Sequence, residues 1–189
     1  MELERARQLE ATVNAARKAG DIAALVAQAG EAIGEVEELA AQVSGEDRIE
    51  ILKIGKRIGY NAGADIWPGW EEGAVRSEAE LTAGRDLAVR SARFVETLEQ
   101  GAMQHGNAAW LIGAFDLALG ARADAAGRFR EAIRWFHAEP EMKLLAEGYL
   151  AIATRSAEID HVLAMLDHAD GEDARSIRDQ LMTARAIYG

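Results

Sequence analysis

Apolar residues recur at three- and four-residue spacing along almost the whole chain, the pattern of helices that each bury one face. Leu3, Ala6, Leu9, Val13 and Ala16 predict a first helix over 2–18. Gly20 ends it, and Asp21 is suited to cap the next. Residues 22–43 carry the cleanest stripe, from Ile22 and Leu25 through Ala29, Ile33 and Val36 to Ala40 and Val43. Glu31, Glu35, Glu37 and Glu38 lie opposite. The short connection at Gly20 implies antiparallel neighbours, so 1–44 reads as an N-terminal helical hairpin. The same stripe would alternatively support a homodimer.

Ser44-Gly45 interrupts the pattern, with Ser44 and Asp47 spaced to cap the helix that follows. That helix, 46–63, places Gly55, Gly59 and Gly63 on one stripe. Each interior glycine costs roughly 0.8–1.0 kcal/mol against alanine. A second helix lying very close would compensate, and room for a ligand is the other explanation. An insertion at 65–77 follows, built around Trp67-Pro68-Gly69-Trp70. Pro-Gly marks a turn, and at least one tryptophan is expected to pack back on the helices. The insertion is either a structural plug or a recognition loop. Ser77 and Glu80 form a capping box, so a helix begins at Glu78, turns Leu81, Ala88, Ala92, Val95 and Leu98 inward, and ends at Gly101.

The central stretch, Gln104 to Pro140, reads as two helices joined by a tight turn. Gly120 stands where a left-handed residue closes the first, and Pro140 suits the first position of the next helix. Small residues Gly113 and Ala125 fall where the two helices would cross. This stretch resembles a tetratricopeptide repeat (TPR), a helix–turn–helix unit of about 34 residues. Gly113, Ala125, Phe129, Ala132 and the Leu119-Gly120 pair occupy that family's signature positions. Its early tryptophan is shifted by one to Trp110, its tyrosine position holds Asp116, and its closing proline comes late.

Flanking hairpins are more degenerate. Gly59 would match Gly113, pairing 46–63 with the helix after Ser77, and Gly148 would begin a third unit with its second helix at about 157–168. Asp170-Gly171-Glu172-Asp173 then opens a capping helix over 170–189 that carries Ile177, Leu181, Ala184 and Ile187. The fold class expected is all-α: an antiparallel helix-hairpin array, a TPR-like α-solenoid of about nine helices. It forms one domain over 1–189, with the repeats at 46–169.

Composition changes little in this picture. Two prolines in 189 residues favour helix. A net charge of −11 and a pI near 4.9 argue against nucleic acid as partner. The absence of cysteine suits a reducing compartment, and no apolar run approaches the ~20 residues of a membrane span. The opening MELERARQLEA is charged and does not read as a signal peptide. A cytoplasmic protein without membrane contact is the expectation.

Candidate chemistry is sparse. His161, Met165 and His168 share a helical face but lack a second ligand cluster, so no metal and no cofactor is assigned. Asp65, Glu71 and Glu72 flank two tryptophans, yet carboxylates in a loop are usually solvated. No nucleophile elbow or phosphate loop is present, and an enzyme is not favoured. The TPR resemblance implies a groove along the first helices of successive hairpins that accepts a protein or peptide. By position it would hold Lys53, Lys56, Tyr60, Asn107, Trp110, Ala114, Met142, Leu145 and Tyr149. Arg57 and Asn61 lie beside it, and Lys53, Lys56 and Arg57 form a basic island suited to an acidic partner. A competing reading is a small-molecule pocket walled by Gly55, Gly59, Tyr60, Trp67 and Trp70.

Overall fold

A computed structural model describes residues 1–71, 73–169 and 171–189. Among the described residues all regular structure is helical. Nine α-helices follow in order: α1 (Glu2–Ala19), α2 (Ile22–Gln42), α3 (Gly45–Ile66), α4 (Glu78–Thr97), α5 (Ala102–Ala118), α6 (Arg122–Trp135), α7 (Pro140–Thr154), α8 (Glu158–His168) and α9 (Glu172–Tyr188). A 3-10 turn, Pro68–Trp70, lies between α3 and α4. No helix among the described residues is long and apolar enough to cross a membrane.

Local chemistry sets most of the boundaries. Gly20 adopts φ 68° after α1, and the Asp21 carboxylate accepts the Ala24 N–H at 3.0 Å. Ser77 and Glu80 cap α4 reciprocally, the side chain of each accepting the other's backbone N–H. Gly120 turns the α5–α6 connection at φ 79°, and Pro140 is the first residue of α7. Three details depart from expectation. Helix α3 starts at Gly45, which takes φ 64°, and continues to Ile66. Helix α4 stops at Thr97, short of Gly101, and Glu99 turns the chain at φ 49°. Gly171 precedes α9 without a side-chain cap, while Asp170, like Glu72, lies outside the described residues.

The chain divides into two compact units, one of Met1–Ile66 with Ser77–Gln100, the other of Trp67–Arg76 with Gly101–Gly189. In the first, α1 packs on α2 and α3, and α4 packs on the same two helices. Leu25, Ala29, Ile33, Val36 and Ala40 are buried there, so the α2 stripe considered for a homodimer is largely covered within the chain. A methyl group placed on Gly55 would come within 2.8 Å of the Phe94 ring and 2.9 Å of Val36. One on Gly59 would come within 2.8 Å of the Leu87 carbonyl oxygen. These glycines make room for α2 and α4, and the space beside them is filled by protein.

In the second unit α5 pairs with α6, and α7 packs on α6, α8 and α9. Every residue from Ala108 to Leu117 is buried, so α5 is apolar nearly all round rather than striped. Gly113 faces α6, where a methyl group would come within 2.9 Å of the Phe129 ring, and Ala125 is fully buried. Gly148 does not repeat this arrangement with α8. It receives Leu181 of α9, whose methyl carbons lie within 2.6 Å of where its Cβ would be. The last helix therefore lies directly on α7.

Substitutions at two glycines should separate crossing from propensity. Gly127→Ala, at an exposed position of α6 with open space around it, should raise stability in urea denaturation by about 0.5–1 kcal/mol. Gly59→Ala, facing a backbone oxygen, should lower it by about 1–3 kcal/mol. Equal effects would mean that α3 and α4 do not approach as closely as described.

Candidate functional site

The most ordered constellation is aromatic and belongs to the second unit. Trp67 precedes a proline and is extended, at φ −62° and ψ 129°. Its ring lies over Gly69, where a methyl group would fall 2.0 Å from an indole carbon. No other residue type fits that turn with the indole in place. Trp67 is 1% exposed and its Nε1 donates to the Ala114 carbonyl at 3.2 Å. It stands edge-on to Trp70 at 5.0 Å and to Trp110 at 5.5 Å. Trp110 meets Tyr149 at 5.4 Å, and Phe129 meets Tyr149 at 5.3 Å. The pairs of Trp67 with Trp70 and Trp110, and of Trp110 with Tyr149, are edge-to-face, a favoured packing of aromatic quadrupoles, while Phe129 is tilted on Tyr149.

This packing corrects the groove expected along α5 and α7. Trp110, Ala114, Leu145 and Tyr149 are all buried. The 3-10 turn and α9 occupy that face, with Gln180 donating to the Tyr149 hydroxyl at 3.1 Å. Asn107 and Met142 remain half-buried, and Trp70 is 48% exposed at the margin. Gly55, Gly59 and Tyr60 belong to the first unit, Trp67 and Trp70 to the second.

The basic island on α3 is the accessible part of the predicted site. Arg57 grips Glu10 of α1 through two bonds of 2.6 and 2.9 Å. Arg17 holds Asp65 in the same way at 2.6 and 3.4 Å. Lys53 pairs with Glu50 at 2.6 Å. Lys56 differs from these: its ammonium donates to the neutral Gln100 side chain at 3.1 Å and meets no carboxylate among the described residues. Partial burial, then the charges of Arg57 and Lys53, shift its pKa below the usual lysine value. Its own carbonyl accepts the Ser91 hydroxyl at 3.0 Å, which ties this point of α3 to α4. Tyr60 and Asn61 are half-buried on the same helix.

The remaining candidates lie on α8. His161 and Met165 line two adjoining surface cavities of about 440 and 520 Å³ beside α7 and α8, and His168 joins them in the larger. The His168 Nδ1 is bonded locally to the Ala164 carbonyl at 2.7 Å. Among the described residues no three histidines or carboxylates gather as a metal site. Sequence reasoning missed Arg122, whose guanidinium donates to the carbonyls of Ile152, Ala153 and Tyr188, closing the ends of α7 and α9. It also missed the stack of His105 on Trp135, at 4.5 Å. Both join residues far apart in sequence, and no local pattern marks them. Against known proteins, the chain matches no family model, no curated protein and no solved structure.

Removing the central indole by Trp67→Ala should cost about 3–5 kcal/mol in urea denaturation, with loss below about 1 kcal/mol counting against the packing described. All three tyrosines are shifted above the usual value of 10 by burial, Tyr188 to about 12. The folded state holds their protons more tightly than the unfolded chain does. Their contribution is therefore complete well below pH 10 and is lost as pH rises above it, for Tyr188 up to about 12. Absorbance at 295 nm should accordingly lag behind free tyrosine and rise together with loss of helical circular dichroism.

Proposed function

We propose that this chain is a non-enzymatic module of TPR-like hairpins that binds a protein or peptide, working in the cytoplasm. The partner would present a carboxylate to Lys56 on α3. The observation that carries this reading is the missing counter-charge: Arg17, Lys53 and Arg57 each hold a carboxylate, and Lys56 holds a neutral amide. An incoming carboxylate would complete a charge-assisted pair that the fold leaves open. Lys53, Tyr60 and Asn61 on the same helix would supply the surrounding contacts.

The TPR-like part of the reading rests on repetition. Gly59 seats α4 as Gly113 seats α6, each glycine on the first helix of a hairpin and facing the second. The net charge of −11 works against an anionic partner at long range. At physiological ionic strength that field is screened within about 8 Å, so recognition would depend on local contact and weaken with added salt.

The test is fluorescence anisotropy of labelled short acidic peptides against the full-length protein, with amide counterparts of each peptide alongside. Acidic peptides should bind and their Asn/Gln versions should not. Lys56→Glu should weaken binding by about ten-fold or more. Equal binding of acidic and amide peptides, or an unchanged affinity for the variant, would overturn the proposal.

A further inference from the structure

We infer that α8 carries a binding site for a soft metal ion, copper(I), held by His161, Met165 and His168. These residues stand at i, i+4 and i+7 of the helix Glu158–His168, on one narrow stripe of its surface. Each neighbouring pair spans about one turn, the separation at which two side chains of a helix reach a single ion. All three line the larger of the two cavities beside α7 and α8, together with Leu144, Ala164 and Ala169. Met165, the middle donor, is 46% exposed, and both histidines are exposed as well.

Two features of the packing prepare these donors. The carbonyl of Ala164 can only accept, so the His168 Nδ1 beside it at 2.7 Å carries the hydrogen. A neutral His168 then keeps its lone pair on Nε2. Metal-binding histidines are commonly fixed in this way, one ring nitrogen donating to a carbonyl and the other left for the ion. The aspartates of α8, meanwhile, are engaged by arginines of α9: Asp160 holds Arg185 at 2.7 Å, and Asp167 pairs with Arg178. Glu158 lines the smaller cavity and not the larger. Imidazole nitrogen and thioether sulfur are therefore what the larger cavity presents to a cation.

This donor set selects the ion. Thioether sulfur is a soft ligand that favours copper(I), whereas magnesium and calcium call for oxygen. Zinc takes its ligands toward the corners of a tetrahedron, which donors in a single row do not provide. Copper(I), with a filled d shell, is satisfied by two or three ligands and accepts such a row. The chain has no cysteine, so no thiolate competes for the ion. The third donor is a thioether, which sets this group apart from the histidine and carboxylate clusters that are absent among the described residues. It uses no residue of α3, so the inference stands apart from the peptide reading.

The experiment titrates copper(I) into the full-length protein without oxygen, in competition with the coloured chelator bicinchoninate. The protein should withdraw one copper(I) per chain. Met165→Leu and His161→Ala should each weaken that binding by about ten-fold or more, with helical circular dichroism unchanged. Met182→Leu, at a methionine of α9 that is also 46% exposed, should leave it as it was. Zinc(II) in excess should not displace the copper. Failure to take copper(I) from the chelator, equal losses from Met165→Leu and Met182→Leu, or displacement by zinc(II) would overturn the inference.

Discussion

The distance between neighbouring helices is the constraint on which this structure depends, and glycine sets it. Ordinary helix pairs stand about 8–10 Å apart. Here bulky groups of one helix sit directly on the backbone of another: Phe94 on Gly55 in the first unit, Phe129 on Gly113, Phe136 on Gly106 and Leu181 on Gly148 in the second. Each glycine weakens its own helix by about 1 kcal/mol. Burying a side chain of phenylalanine or leucine size returns about 1.5–3 kcal/mol. The exchange is favourable only while the neighbour stays in place, so the small residues bind the helices into cooperative pairs.

Helix α3 shows how this reaches the candidate site. Gly55 and Gly59 face α2 and α4, while Lys53, Lys56 and Tyr60 lie on positions with partial exposure. Close packing on one side holds the polar side in register. The Ser91 hydroxyl on the Lys56 carbonyl anchors that register at the residue whose charge is left unmatched. The ionic ladder between α1 and α3, Arg57 with Glu10 and Arg17 with Asp65, then fixes which cations are already satisfied.

Much of the fold was legible because its signals are local. Periodicity placed the helices, and the chemistry of Asp21, Ser77, Gly120 and Pro140 placed several of their ends. The demand of Gly59 and Gly113 for a close neighbour was also readable. Which neighbour answers the demand was not, as Gly148 shows by receiving α9 rather than α8. The groove on α5 and α7 failed for the same reason. A buried face looks alike in sequence whether a partner or the chain's own 3-10 turn covers it. The basic island was visible as composition, but its pairing with Glu10, 47 positions earlier, was not.

The aromatic core of the second unit has an unusual chain order. Its central indole, Trp67, precedes the helices that enclose it and is separated from them in sequence by α4 of the first unit. On the ribosome, that tryptophan emerges before Ala114, Tyr149 or Gln180 has been made. A large apolar side chain is thus left without its enclosure until nearly the whole polypeptide has been translated. Domains commonly fold as units during vectorial synthesis, but here the later unit must recover a residue made early. During that interval the indole stays open to solvent, and the second unit cannot close its core until α9 has been made.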